Sequence, residues 1–378
     1  MRMIRLNTEY LDRVLVGESD LPARRTGPCS VALGSFDGLH RGHQALIDAV
    51  RAAKDRDGLK NSLLFTFRRH PRLVLGGAEG PFLLTTWREK LSLLEQLGLD
   101  VVVAMDFSRN LASLGYRDFV QRFLVDWLGM RHLVAGHDMH LGKDRVGSAD
   151  ALLELGGELG YSMEVLDATR HQDLVISSSA IRNALAAGDC GLAAAMLGRP
   201  YGLWGEVRPG EGRGRTIGYP TANVEPLNPR KLLPAPGVYA CRVQISSDVV
   251  PAGGDGMLGL VREPLPEMDR HGDMLSPGHG QWRLYGGMLN FGHVPTFHDG
   301  GLAMPRIEVH VLDFAGDLRG RTVKVEWLRR LRDERRFDGV GDLISQLRQD
   351  EAGAREAVRA VPLPPGDPAG DQAPGIRR

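Results

Sequence analysis

Cysteine is scarce in this sequence, which has three cysteines among 378 residues. Cys29, Cys190 and Cys241 form no CxxC pair and share no spacing typical of metal ligands. A disulfide framework is therefore not expected, and a reducing compartment fits this cysteine usage best. The sequence predicts a cytoplasmic protein.

Charge of one sign is not in excess either, because 47 Lys and Arg residues balance 47 Asp and Glu residues. The chain therefore has no overall positive field that would hold nucleic acid. An arginine-rich run at residues 328–336 is local, and we interpret it as a solvated helix or the rim of a ligand site. No nucleic-acid partner is expected.

Long hydrophobic runs are also missing. The longest runs, such as residues 101–105, have the length of a strand, whereas a bilayer-spanning helix needs about 20 apolar residues. Residues 1–17 mix charged and apolar side chains and lack the uninterrupted apolar stretch of a signal peptide. The sequence predicts a soluble protein with no membrane partner.

Short apolar runs alternate with amphipathic stretches in the first half of the chain. The runs predict buried strands at residues 31–33, 62–67, 100–105, 132–135 and 163–166. Helices are predicted around 46–53, at about 85–97 between a capping threonine and Gly98, at 118–128 and at 151–159. This alternation favours a doubly wound α/β fold with a parallel sheet covered on both faces. We place this domain at residues 1–187.

The pattern changes after residue 200 to strands between glycine and proline turns. Segments at 203–207, 238–245, 282–289, 307–314 and 323–327 predict an all-β barrel or sandwich at 201–350, with a helix near 340–347. Two short helices within 177–198 would lead into a linker helix region at 188–200. Residues 247–280 predict a loop and residues 351–378 a disordered Pro/Gly-rich tail.

The first chemical motif is GSFDGLHRGH at residues 34–43, between a predicted strand and a helix. Its glycines permit a tight turn, and the free N–H groups at a helix start favour phosphate. His40 and His43 could donate hydrogen bonds to phosphate oxygens. The pattern leaves two other interpretations open, namely an ordinary glycine-rich turn and a pair of metal-binding histidines.

A second phosphate candidate is SSSAIR at residues 177–182. Its hydroxyl groups cluster at a predicted helix start, and Arg182 follows one turn inside the helix. Plain serine capping of the helix is the alternative interpretation.

The motifs GSFDGLHRGH, TFRRHP and ISSSAIRNAL, in this order, resemble the nucleotidylyltransferase superfamily. In particular they resemble the adenylyltransferase half of bacterial bifunctional riboflavin kinase/FAD synthetases. The resemblance implies that His40 and His43 are catalytic and stabilise the transition state on ATP. It implies further ATP contacts by Gly34, Phe36, Asp37, Gly38, Gly42, Ser178, Ser179 and Arg182.

One segment of this domain departs from the family pattern. The family's GxDFxFG segment reads GHDMHLG at residues 136–142, so Met139 and Leu141 replace two aromatic residues. Asp138 is retained, and the resemblance implies that it borders the flavin. The replacements favour one alternative, a monofunctional riboflavin kinase with an impaired or re-purposed nucleotidylyltransferase domain.

The second domain opens with a loop rich in glycine and arginine at residues 205–223. Such a loop can wrap a polyphosphate, and Thr221 and Asn223 offer oxygen ligands suited to Mg²⁺. Further along, Glu308 and His310 alternate with apolar residues, so Glu308 could accept a proton from a substrate hydroxyl. A solvated cationic loop and the polar side of an edge strand are the alternatives.

Five motifs in this domain, from GRTIGYPTAN to WLRRLRDERRF, closely resemble riboflavin kinase, whose fold is a Greek-key barrel. The resemblance implies that Thr221 and Asn223 bind Mg²⁺–ATP, with Gly214 and Arg215 in the adjoining loop. It implies that Glu308 is the catalytic base and that Arg332 and Phe337 border the flavin. The implied partners are ATP, riboflavin and FMN, the flavins being substrate and product. A non-catalytic flavin-binding regulator is the alternative from another class.

Overall fold

The computed structural model describes residues 1–21, 26–78, 80–143, 146–210, 212–246, 282–293 and 305–361. The predicted loop at 247–280 and the last part of the predicted tail, from residue 362, lie outside the described residues. Contacts divide the chain into two compact units, with the division between Ser178 and Ser179.

Six parallel strands form the sheet of the first unit. In chain order they are β1 (Arg2–Leu6), β2 (Cys29–Gly34), β3 (Asn61–Phe67), β4 (Val101–Met105), β5 (Met130–Gly136) and β6 (Ser162–Leu166). Their order in space is β1-β4-β3-β2-β5-β6. The five predicted strands are confirmed. Strand β1 was missed because Arg2 and Arg5 interrupt its apolar pattern.

Helices cover both faces of this sheet, as predicted. They are α1 (Thr8–Leu15), α2 (Arg41–Arg56), α3 (Pro71–Val74), α4 (Trp87–Glu95), α5 (Arg109–Ala112), α6 (Tyr116–Phe119) and α7 (Ala149–Leu159). Ile47 of α2 and Leu94 of α4 belong to the core on one face. Leu11 of α1 and Leu152 of α7 belong to the core on the other.

The predicted helix at 118–128 differs in its geometry. It consists of α6 followed directly by a π-helical segment, Val120–Trp127. Val120, Phe123, Leu124 and Trp127 of this segment are buried. Their spacing predicts a helix with one buried face, but it does not distinguish the wider π turn from an α turn. A short hairpin, β7 (Arg170–His171) and β8 (Leu174–Val175), completes the unit.

The second unit is a closed antiparallel barrel preceded by two helices. Its elements are α8 (Ser178–Ala186), α9 (Cys190–Leu197), β9 (Tyr201–Arg208), α10 (Arg213–Thr216), β10 (Ala222–Pro226), β11 (Gly237–Ser246), β12 (Trp282–His293), β13 (Pro305–Val311), β14 (Thr322–Arg332) and α11 (Val340–Ala360). The strand order around the barrel is β10-β13-β12-β11-β14-β9. The division of the chain at Ser178 places nearly all of α8 with the barrel, whereas the sequence predicted that the first domain ends at 187.

The barrel confirms the predicted all-β domain and corrects two details. Strand β10, which carries Asn223, was missed because it is short and lies between proline-containing turns. Helix α11 continues to Ala360, so residues 351–360 are helical instead of part of a tail. Its last turns bury Ala354 and Val358, and small residues of this kind give only a weak apolar period in sequence.

Among the described residues, no disulfide forms, and Cys29, Cys190 and Cys241 are all buried. In the same part of the chain, we find no helix with the length and apolarity required to cross a bilayer.

Candidate active sites

The first site lies where the order of strands in the parallel sheet changes direction. From β2 the chain continues to β3 on one side, and β5 pairs with the other side of β2. Ligands of such sheets bind outside the carboxyl ends of the strands at this switch point. The GSFDGLHRGH motif follows β2 and leads into α2, so the structure puts the predicted phosphate loop at the expected place.

The loop adopts an unusual backbone conformation. Phe36, Gly38 and Leu39 have φ angles of 47°, 88° and 42°. A left-handed conformation costs a non-glycine residue about 1–2 kcal/mol. Phe36 and Leu39 offset this cost by burying their side chains in the core beneath the loop, where each is 1% exposed. The loop is therefore shaped before any ligand arrives.

The side chain of Asp37 holds the phosphate loop in place by hydrogen bonds to a distant segment of the chain. Its buried carboxylate accepts hydrogen bonds from the backbone N–H groups of Leu84 and Thr85, at 3.2 and 3.0 Å. The Thr85 hydroxyl in turn accepts from the N–H of Gly38 at 3.0 Å, and the Ser178 hydroxyl donates to the Asp37 carbonyl at 2.8 Å. The Asp37 carboxylate thus joins the phosphate loop to residues 84 and 85. The ATP contact that the resemblance implies for Asp37 stays a prediction.

The two histidines stack on each other at the start of α2. Their ring centroids lie 3.6 Å apart, and Phe36 lies 5.0 Å from the His43 ring. The Nδ1 atom of His40 caps the helix by accepting from the His43 N–H at 3.3 Å. A neutral His40 ring with this acceptor carries its proton on Nε2, which can then donate to a phosphate. No acidic residue lies in the first turn of α2, so the positive end of the helix dipole is not offset there.

The remaining predicted residues of this domain lie on separate elements. Ser178 and Arg182 share one face of α8 because they are four residues apart, and Ser179 lies beside Ser178. Asp138 is exposed after β5, and its carbonyl bonds the His140 ring at 2.9 Å. Met139 and Leu141 pack against the core of the sheet. These two replacements are therefore partly buried side chains at the margin of the core.

The second site is built on a row of polar residues on the outer face of the barrel. Asn223 of β10 lies opposite Glu308 of β13, which lies opposite Asn290 of β12. Directly opposed residues have Cβ atoms about 4.5–5.5 Å apart. Arg208 of β9 extends the row beyond Asn223. The predicted base and a predicted metal ligand are therefore neighbours, as the sequence-based hypothesis requires.

Two cavities open beside this row and meet at Thr221 and Gly212, which line both of them. The first cavity, of about 540 Å³, contains the cationic side chains of Arg208, Arg215 and Arg319 together with Asn223. Hydrogen bonds from Arg319 hold the pKa of Asp317, in the same cavity, well below its ordinary value. A cavity lined in this way suits a polyphosphate.

The second cavity, of about 740 Å³, is mainly apolar. Its apolar lining is Ile217, Val238, Met288, Leu289, Phe337, Leu343 and Leu347, and its polar lining includes Glu308, His310 and Arg332. The volume falls within the range of small-molecule sites, about 300–1,000 Å³. An apolar ring system with one polar arm directed at Glu308 fits this cavity.

The residues at the junction of the cavities fit a hard divalent cation. The side-chain oxygen of Asn223 is buried and has no hydrogen-bond partner among the described residues. His310 Nδ1 donates to the Pro220 carbonyl at 2.8 Å and so fixes the turn that presents Thr221. Nucleotide-bound Mg²⁺ takes only one or two protein oxygens, with phosphate and water completing its shell. Thr221 and Asn223 can supply them.

Helix α11 positions the residues at one side of the apolar cavity, which the sequence predicted only in part. Arg332 binds the buried Asp350 carboxylate of α11 through Nε and Nη2, at 3.0 and 2.8 Å. The Phe337 ring lies 5.6 Å from the Arg332 guanidinium and 4.8 Å from that of Arg335. Asp350 was missed because its partner lies on a strand and the pair has no sequence period.

Two domain families match this chain. A FAD synthetase family matches residues 23–180, and a riboflavin kinase family matches residues 197–358. The first range contains strands β2 to β6 and the phosphate loop, and the second contains the barrel strands, both cavities and all but the last two residues of α11.

Similar proteins cover nearly the whole chain. The bifunctional riboflavin kinase/FMN adenylyltransferase of Bacillus subtilis is 35% identical over 87% of this chain and 91% of its own. The protein of the same description from Escherichia coli K12 is 34% identical over 87% and 92%. A solved structure described as a macrolide-efflux protein from Streptococcus pneumoniae is 29% identical, covers 94% of this chain and 99% of its own, and superposes with a TM-score of 0.72.

Proposed function

The chain belongs to the family of bifunctional riboflavin kinases/FMN adenylyltransferases, and we propose that its two sites carry out the two reactions in sequence. At the barrel, ATP and riboflavin give FMN and ADP. At the parallel sheet, ATP and FMN give FAD and pyrophosphate. This reading takes precedence over a monofunctional kinase, because both domains are present and the relatives that cover the chain are bifunctional. We propose no efflux activity.

The kinase proposal depends most on the position of Glu308 opposite Asn223. Riboflavin occupies the apolar cavity with its ribityl arm toward Glu308, and the triphosphate of ATP occupies the cationic cavity. Glu308 accepts the proton of the terminal hydroxyl as that oxygen attacks the γ-phosphorus, and ADP leaves. Thr221 and Asn223 hold Mg²⁺, which when bound neutralises phosphate charge.

Adenylyl transfer needs alignment and charge neutralisation, with no covalent enzyme intermediate. The FMN phosphate attacks the α-phosphorus of ATP, and pyrophosphate leaves. His40 Nε2, His43 and the start of α2 stabilise the charge that develops there. Ser178, Ser179 and Arg182 hold the β- and γ-phosphates, and Asp138 borders the flavin. We further propose that the reactions take place in the cytoplasm with Mg²⁺.

A time course with purified protein, riboflavin, ATP and Mg²⁺ tests both reactions when FMN and FAD are separated by HPLC. FMN should appear first and FAD should follow. Accumulation of FMN without FAD would contradict the adenylyltransferase proposal, and absence of FMN would contradict the kinase proposal.

Substitution of the proposed base tests the mechanism. Glu308→Gln should lower the rate of FMN formation about 100-fold or more, the usual contribution of a general base. Supplied FMN should still be converted to FAD. Glu356→Gln, an exposed carboxylate on α11, is the matched control. If Glu308→Gln formed FMN within about threefold of the wild-type rate, Glu308 would not be the base.

A further inference from the structure

Lys90 is a buried lysine at the carboxyl end of the parallel sheet. The residue is 6% exposed. Its Nζ donates to the carbonyl oxygen of Ser35 at 2.6 Å and reaches that of Phe67 at 3.5 Å. Ser35 directly follows β2, and Phe67 ends the neighbouring strand β3. One ammonium group therefore binds the carbonyl ends of two adjacent strands.

Burying an ammonium costs free energy unless the charge has strong partners. An apolar side chain at position 90 would stabilise the fold better, so stability alone does not explain the presence of Lys90. Lys90 belongs to α4, and Thr85, two residues before this helix, already binds Asp37 and the N–H of Gly38. The start of α4 thus holds the phosphate loop at Ser35 as well as at Asp37 and Gly38. Lys90 contributes the only one of these contacts that carries a positive charge.

The position of the Lys90 ammonium at the carboxyl end of the sheet indicates a role in nucleotide binding. Parallel strands direct the negative ends of their last carbonyl groups toward the edge where a nucleotide binds, and these groups would repel a triphosphate. The ammonium of Lys90 binds two such oxygens and adds positive charge directly beneath the loop that carries His40. Electrostatic effects of this kind are strong in a site shielded from water.

We propose that Lys90 is a positioning residue for ATP in adenylyl transfer: by engaging the Ser35 and Phe67 carbonyls, it keeps the loop after β2 open to the triphosphate. This inference rests on the function proposed above for the parallel-sheet unit. It predicts an effect on the KM for ATP in FAD synthesis and no effect on the kinase reaction at the barrel.

Two variants test this role in the full chain. Lys90→Met removes the charge and all hydrogen-bond donors, and Lys90→Gln removes the charge but retains an amide donor. Each should raise the KM for ATP in FAD formation from supplied FMN about tenfold or more, while kcat at saturating ATP changes little. Riboflavin phosphorylation, measured on the same samples, should be unchanged. Lys60→Met, an exposed lysine before the opposite end of β3, is the matched control.

Each result decides the proposal. An unchanged KM for ATP in either active variant overturns it, and so does a fall in kcat without a rise in KM. If both variants lose FAD formation even at saturating ATP, Lys90 maintains the fold of the unit and the proposal is wrong. If the wild-type protein itself forms no FAD from FMN and ATP, the adenylyltransferase function is refuted and the proposal about Lys90 is refuted with it.

Discussion

Two glycines before β10 allow close packing within the loop that is proposed to bind ATP and Mg²⁺. A Cβ atom added at Gly210 would overlap the side-chain amide of Asn223, and one at Gly214 would overlap the carbonyl oxygen of Tyr219. Neither glycine has a positive φ, so close packing explains their presence better than backbone conformation does. At Gly210 the main chain of the loop therefore packs directly against Asn223 of the polar row.

His132 is a buried histidine at the amino end of β5, on the edge of the sheet opposite the phosphate loop. Its Nδ1 lies 2.7 Å from the Ser162 hydroxyl, and the carboxylates of Asp57 and Glu164 each lie 3.8 Å from a ring nitrogen. Burial lowers the pKa of His132, and Arg56 lowers it further, although the two carboxylates oppose this effect. The fold therefore favours the neutral ring.

This environment predicts that the first unit loses stability as the pH falls through about 6.5, the pKa of an unfolded histidine. An unfolded histidine takes up its proton near pH 6.5, whereas folded His132 takes it up only at lower pH. The stabilisation is complete above the unfolded pKa and is lost as the pH falls toward the folded one. Urea unfolding of wild type and His132→Gln should show a smaller pH effect in the variant, with His171→Gln as control. Equal pH effects in all three would exclude His132 as the cause.

At the scale of elements, α11 links the core of the barrel to the cavity proposed for riboflavin. Leu343 and Leu347 line the cavity near the start of the helix, and Asp350 holds Arg332. The later turns bury Ala354 and Val358 in an apolar cluster with residues of the barrel strands. The end of the helix therefore anchors the part of α11 that lines the cavity.

A matched pair of alanines tests this anchoring. Ala354 is fully buried and Ala352, two residues earlier, is exposed. Ala354→Asp places an unpaired carboxylate in the cluster and should destabilise the barrel unit by about 3 kcal/mol or more, with weaker riboflavin binding. Ala352→Asp should change the free energy of unfolding by only about 0.5 kcal/mol. Chemical denaturation and the KM for riboflavin measure both effects, and similar values for the two variants would contradict the buried packing of α11.

At the scale of the whole molecule, the two proposed reactions reside in separate units with separate cores. A variant impaired in one reaction should therefore retain the other. His43→Ala should form FMN but little FAD, because a removed transition-state donor costs about 100-fold or more in rate. Glu308→Gln should form FAD only from supplied FMN.

Mixing these two variants with riboflavin, ATP and Mg²⁺ should restore FAD synthesis, because FMN released by one molecule can bind to another. Each variant alone is the control, and HPLC measures the products. Failure of the mixture, while Glu308→Gln alone still converts supplied FMN, would contradict the release of FMN between the reactions.

The sequence by itself determined the two fold classes and most of the residues proposed for chemistry. Continuous apolar runs between amphipathic stretches are local properties of the chain, and they predicted β2 to β6 and the barrel strands that contain long alternating segments. Short motifs likewise carry His40, Glu308 and Asn223 within contiguous residues. Strands, helices and short motifs can be predicted from the sequence because the residues that share a role are neighbours in the chain or follow a period of 2 or 3.6 residues.

The tertiary structure alone decided how these motifs are supported. Lys90 reaches Ser35 across 55 residues of chain, and Thr85 binds Gly38 across 47. The row from Asn223 to Asn290 exists only because β13 pairs with both β10 and β12. Asp350 meets Arg332 only because α11 continues past the predicted end of the helix at residue 347. These partners come from distant segments with no common spacing, so their encounter depends on packing, which no local pattern of residues encodes.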